Sequence, residues 1–122
     1  YSINKIIEVG YRKIKSNNYK YFKDDMNFLQ FHNEGIANNS SMEILARGRL
    51  FEIDAFKIKN KNIFGFQFHP EVTNFMIKSW YKDLDMKKIG IDKLDIILKD
   101  HNKFKKINLI WIKRILHKLL ND

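Results

Sequence analysis

Cysteine is missing from all 122 residues. That absence excludes a disulfide framework, a thiolate-bound zinc or iron–sulfur site, and a cysteine nucleophile within these residues. Proline occurs once and glycine five times, too few for a collagen-like or Pro/Gly-rich disordered chain. Arginine is scarce, with 4 against 19 lysines. No uninterrupted apolar stretch approaches the roughly 18–20 residues that a membrane-spanning helix needs, and the N-terminus does not read as a signal peptide. The expectation is a soluble cytoplasmic protein with no membrane partner.

What is present is enough for a packed core: 44% apolar and 14% aromatic side chains. The length suits one domain or part of one. The chain begins at Tyr1, and Ile3, Ile6, Ile7 and Val9 read like the middle of a structured region. The expectation is a single partial domain over 1–122, the downstream piece of something longer, with a strand-rich part at 1–81 and a helical extension at 82–122.

The net charge of +9 invites a nucleic-acid reading. Base readout and bidentate phosphate contacts favour arginine, however. The lysines accompany 18 isoleucines and 13 asparagines, a set that AT-rich codons alone produce. They are also dispersed: residues 1–81 carry 12 basic and 8 acidic side chains, and 82–122 carry 11 and 6. The densest run, Lys103–Lys106, reads as a solvated helix face. No nucleic-acid partner is expected.

Along the chain, Lys5–Ile14 is rich in β-branched residues and stops at a polar loop. Asn27–His32 alternates Phe28, Gln30 and His32 against Asn27, Leu29 and Phe31. Met42–Ala46 is a short strand followed by a turn at Gly48. Leu50–Ile58 and Ile63–Phe68, separated by Lys59-Asn60-Lys61-Asn62, predict a hairpin. In its second arm Phe64, Phe66 and Phe68 share a face, and Gly65 leaves room for a close neighbour. After Pro70 the period changes to 3.6. Thr73 is the expected N-cap of a helix bearing Ile77, Trp80, Tyr81 and Leu84. Gly90 breaks the pattern. Asp92 and Asp95 resemble a capping box for a second helix with Leu94, Ile97 and Leu98. A third helix runs from about Lys105 to Leu120 with Leu109, Ile112, Leu116, Leu119 and Leu120 on one stripe. Strands followed only by helices leave one sheet face without its cover.

The chemistry-bearing stretch is Phe64–Thr73. An apolar strand runs out into His69 and Glu71. In an extended chain residues i and i+2 point the same way, and open α/β sheets bind ligands at the C-terminal ends of strands. Such a histidine can take a proton from a nucleophile while the carboxylate holds its other ring nitrogen. A His-x-Glu pair also occurs as a surface or helix-cap feature, and spacing alone leaves both readings open.

Gly65-Phe66-Gln67-Phe68-His69-Pro70-Glu71 resembles the Gly-x-Gln-Phe-His-Pro-Glu signature of class I, triad-type glutamine amidotransferases. Glu8-Val9-Gly10-Tyr11 resembles the Glu-Ile-Gly-Trp/Tyr strand of the GMP-synthase-like branch. Phe31-His32-Asn33-Glu34 resembles its Trp-His-Gly-Asp segment, and Asp54-Ala55-Phe56 its Gln-Ala-Phe strand. Val72–Trp80 resembles the Val-Thr-x-x-Met-x-x-x-Trp start of its following helix. The resemblance implies an α/β chain, the C-terminal part of a three-layer α/β/α amidotransferase domain. It also implies that His69 is the general base and Glu71 its orienting acid in a Cys-His-Glu triad. The reaction implied is hydrolysis of the glutamine side-chain amide to glutamate and ammonia, with no cofactor and no metal. Glutamine would be the small-molecule substrate, and an ammonia-accepting synthase domain or subunit the partner.

The family's Gly-x-Cys-x-Gly elbow lies upstream of the strand matched by Glu8–Tyr11 and is not in this chain, so these residues alone are expected to be inactive. Glu34, Asn33 and Asp54 also depart from the pattern. The alternatives are a non-catalytic remnant or regulatory, partner-binding subunit of the same fold, or a hydrolase of γ-glutamyl compounds. His32 reads equally as a residue near the substrate or as a structural one. His101 and His117 have no carboxylate at ligand spacing and read as structural or surface residues. Trp80 and Trp111 read as core packing.

Overall fold

The alternation in the first two thirds produces six strands: β1 (Ile6–Lys13), β2 (Lys15–Ser16), β3 (Asn27–His32), β4 (Met42–Arg47), β5 (Ile53–Ile58) and β6 (Phe64–Phe66). Helix α1 (Asn74–Tyr81), strand β7 (Ile89–Ile91) and helix α2 (Leu94–Asn121) follow. This computed structural model describes residues 1–23 and 26–121.

The strands form two sheets, one in the order β3-β1-β7 and one in the order β2-β4-β5-β6. In the first, β1 runs antiparallel to β3, with Glu8 opposite His32, and parallel to β7. The second is antiparallel throughout. The hairpin expected around Lys59–Asn62 is its β5–β6 pair, where Lys57 faces Phe64 and the Ile58 N–H donates to the Ile63 carbonyl at 2.9 Å. Gly65 is opposite Phe56, whose ring occupies the space a Cβ would need.

Two apolar clusters build the core. One gathers Ile14, Phe22, Phe28, Leu45, Ala55, Phe68, Trp111 and Ile115; Phe28 and Phe68 stack at 4.0 Å, and Phe22 stacks on Trp111 at 4.9 Å. The other joins Ile7, Val9, Tyr11 and Leu29 to Ile77 of α1 and Ile97 of α2. The alternation of β1 sends Ile7, Val9 and Tyr11 to that cluster and Glu8, Gly10 and Arg12 to the opposite face. Both Val9 and Glu8 are fully buried. Among the described residues, this central strand is therefore covered on both sides, contrary to the expectation of an uncovered sheet face.

The C-terminal region differs from the expectation of three helices. The second and third are one helix, α2, of 28 residues, about 42 Å long at 1.5 Å per residue. No glycine or proline occurs after Ile91 to end it. The stripe that packs is Ile97, His101, Phe104, Asn108, Trp111 and Ile115, spaced alternately by four and three. Leu109, Leu116 and Leu120 of the expected stripe are exposed instead. The true stripe includes two polar residues that find partners: His101 Nδ1 lies 2.7 Å from the Tyr11 hydroxyl, and Asn108 Nδ2 donates to the Asn27 carbonyl at 2.9 Å.

Gly90 does more than interrupt a helical pattern. It sits in β7 at φ +106, against the Ile7 carbonyl, where a side chain has no room. Asp92 does not cap α2. Its carboxylate accepts two hydrogen bonds from Arg12, at 2.7 and 3.1 Å, and these tie β7 to β1.

Candidate functional site

The segment after β6 passes from one sheet to the other. The Gln67 N–H still donates to Asp54 of β5 at 2.8 Å, Phe68 bridges to Gln30 of β3, and the His69 N–H donates to the Leu29 carbonyl at 3.0 Å. Phe68 is buried and anchors the crossing, while His69 emerges at the rim. Pro70 and Glu71 then form a turn, not the extended geometry used in the sequence argument. That turn brings the two side chains together: His69 Nδ1 lies 3.3 Å from Glu71 Oε1. The contact is long for a charge-assisted bond, and both groups reach solvent, with the His69 side chain 32% and the Glu71 side chain 58% accessible.

Two features hold the pair, and a cleft opens beside it. The His69 ring meets the edge of Trp80 at 5.1 Å, so Trp80, expected to be core, packs against Phe31 on one side and the histidine on the other. Thr73 caps α1 as expected, its hydroxyl accepting from the Met76 N–H at 3.2 Å. The cap fixes the helix start two residues after Glu71. A cleft of about 550 Å³, lined by Pro70, Glu71, Thr73, His101 and Lys105, opens beside the carboxylate. With the Nδ1 hydrogen directed at Glu71, Nε2 keeps a lone pair able to accept a proton from a nucleophile.

A second polar group, which the sequence did not reveal, lies between the sheets. Glu8 of β1, His32 of β3 and Asp54 of β5 each bring a ligand-type atom within 4.8 Å of the others. His32 Nε2 is 2.7 Å from Gln30 Oε1 and 3.4 Å from Glu8 Oε1; its Nδ1 is 3.1 Å from the Glu34 carbonyl. Gln30 Nε2 donates to Asp54 Oδ2 at 2.7 Å. Burial and the adjacent Glu8 push the Asp54 carboxyl up to about 7, against the opposing pull of His32 and Gln30. The sequence placed Gln30 and His32 on one face and put Glu8, His32 and Asp54 in three separate motifs, with nothing to say that these meet. The fold also links this group to the first site, because Gln67 Nε2 donates to the same Glu34 carbonyl at 3.1 Å.

His101 is buried against Tyr11, and Trp111 is buried with its indole N–H donating to the Tyr21 carbonyl at 2.7 Å. These are the structural roles expected of both. Among the described residues, no helix is long and apolar enough to cross a membrane.

By sequence, the chain matches no family model and no curated protein. By structure, it is similar to a glutamine amidotransferase from Thermotoga maritima, with a TM-score of 0.82 and 21% identity over 100% of this chain and 54% of that one. It is equally similar to a glutamine amidotransferase from Methylobacillus flagellatus, with a TM-score of 0.82 and 13% identity over 99% of this chain and 54% of that one. The chain spans about half the length of these structures and has their α/β fold over that part.

Proposed function

We propose that this chain is the C-terminal part of a triad-type glutamine amidotransferase domain, in which His69 is the general base and Glu71 orients it. The observation that carries the reading is the His69–Glu71 contact at the exit of β6, in a chain with the fold of glutamine amidotransferases. The motif matches favour the GMP-synthase-like branch.

The chemistry follows from the two side chains. Glu71 accepts the Nδ1 hydrogen of His69, and Nε2 removes the proton of a cysteine thiol supplied from upstream in the domain. The thiolate attacks the side-chain amide carbon of glutamine. Collapse of the tetrahedral intermediate breaks the C–N bond, and His69 returns the proton to the departing ammonia. Water, deprotonated by the same Nε2, then releases glutamate from the γ-glutamyl thioester. Trp80 limits rotation of the imidazole through both steps. The ammonia would pass to an acceptor site on a synthase domain or subunit.

A second reading is a non-catalytic subunit of the same fold, favoured by the absence of cysteine from these residues. The two are separated by assaying the full-length gene product for ammonia release from glutamine. Turnover that is lost in His69→Ala supports the catalytic reading. No turnover from a folded parent protein, or turnover unchanged in His69→Ala, defeats it.

A further inference from the structure

The His32 ring meets acceptors at both ends. Nε2 lies 2.7 Å from Gln30 Oε1 and 3.4 Å from Glu8 Oε1, and Nδ1 lies 3.1 Å from the Glu34 carbonyl. Asp54 turns the Gln30 amide this way: Gln30 Nε2 donates to Asp54 Oδ2 at 2.7 Å, which leaves Oε1 for the histidine. A neutral imidazole has one N–H and one lone pair. Its lone pair would face an oxygen at one end or the other. An imidazolium donates from both nitrogens and satisfies both contacts.

The charge balance agrees. Glu8 is fully buried, and neither of its carboxylate oxygens has a hydrogen bond among the described residues. Two cationic groups come within 4 Å of it: His32 Nε2 at 3.4 Å and Arg12 Nε at 3.9 Å. The terminal nitrogens of Arg12 are held by Asp92. A buried carboxylate without a partner is costly, and a positive ring beside Glu8 offsets that cost. Around the ring stand Glu8 of β1 and, across Gln30, Asp54 of β5, with the Phe51 ring packed at 4.8 Å.

The other end of the ring reaches toward the first site. The Glu34 carbonyl that faces Nδ1 also accepts from Gln67 Nε2 at 3.1 Å. Gln67 is held through its backbone too, by the 2.8 Å bond to the Asp54 carbonyl, and it precedes His69 by two positions. We propose that His32 is a positioning residue: a doubly protonated ring that ties buried Glu8 to the Glu34 carbonyl and, through Gln67, sets the placement of His69. The effect on rate rests on the catalytic reading of His69. The state of the ring does not.

The test uses the full-length gene product with ¹⁵N-labelled histidine rings. At pH 7 both ring nitrogens of His32 are expected to carry hydrogen in NMR. A lone-pair signature at either nitrogen overturns the charged ring; the Gln30 amide is then reversed and the hydrogen sits on Asp54. Gln67→Met keeps the side-chain length but cannot donate to Glu34. It is expected to shift the ring resonances of His69 and to lower kcat for ammonia release about tenfold to a hundredfold, with KM within about twofold of the parent. His32→Gln, which cannot serve both acceptors, is expected to lower kcat as well. Because both residues act through one carbonyl, the double variant is expected to lose less than the product of the two losses. Parent kcat and unmoved His69 resonances in Gln67→Met overturn the positioning role, and that variant decides the matter even where His32→Gln does not fold. A folded parent that releases no ammonia defeats the catalytic reading, and the His69 resonances in Gln67→Met then decide the positioning role by themselves.

Discussion

The hydroxyl of Tyr11 lies 2.7 Å from Nδ1 of His101, ninety positions further along the chain. Burial, reinforced by the negative charge of Asp100, pushes the tyrosine well above its ordinary range. Burial, followed by the charge of Lys105, holds the histidine below its own. Both side chains are therefore neutral at pH 7 and share one hydrogen bond. This bond attaches α2 to β1 within an otherwise apolar cluster.

Tyr11→Phe leaves the buried His101 Nδ1 without its hydrogen-bond partner and is expected to cost about 1–3 kcal/mol in urea unfolding at pH 8. The cost shrinks at alkaline pH. The unfolded tyrosine loses its proton near 10.0, whereas the folded one retains it. The folded state then binds more protons, so the stabilisation is complete below pH 10 and is lost as pH rises toward the folded value. The difference between parent and variant narrows across that range.

His101 produces the opposite slope on the acid side. Its folded pKa is below 6.5, so the unfolded state binds more protons as pH falls. The stabilisation from the neutral ring is present above pH 6.5 and is lost on acidification. Unfolding free energies of the parent and His101→Gln are expected to converge below pH 6.5, which urea titrations at several pH values measure.

Glu71→Gln in the full-length gene product is expected to lower kcat for ammonia release about a hundredfold or more, because the imidazole loses its orienting carboxylate. Glu71 is exposed, so the unfolding free energy is expected to stay within about 0.5 kcal/mol of the parent. Coupled assay of ammonia and thermal unfolding on the same preparations check both halves.

Phe68→Ala removes a ring that stacks on Phe28 and meets Phe22, Phe66 and Trp111. The expected loss is about 3–5 kcal/mol in denaturant unfolding, a large share of the roughly 5–15 kcal/mol typical of a domain.

Thr73→Ala removes the hydroxyl that accepts from Met76 and is expected to cost about 1 kcal/mol, whereas Thr73→Ser retains most of the stability. Chemical denaturation of the pair separates the cap from the loss of a methyl group.

Local pattern was legible wherever the partner lay close in sequence. The β5–β6 hairpin, the face shared by Phe64, Phe66 and Phe68, the cap at Thr73 and the His69–Glu71 pair all depend on residues a few positions apart. The single helix after Gly90 differs from the expected pair because His101 and Asn108 look, in sequence, like interruptions of an apolar stripe. They belong to it only because Tyr11 and Asn27 satisfy them from other strands. Asp92 resembles a cap for a similar reason: nothing near it in sequence announces Arg12, eighty positions away.

The sequence by itself determined the alternation that makes the strands, the punctuation at Lys59–Asn62 and Pro70, and the presence of an imidazole and a carboxylate two positions apart. Those outcomes are governed by backbone preferences and side-chain period, which act over a few residues. Only the tertiary structure decided that α2 runs unbroken across both clusters and that Gly90 lies in a strand. It alone brought Glu8, His32 and Asp54 together between the sheets. Burial decides each of these, and burial depends on what the rest of the chain places alongside.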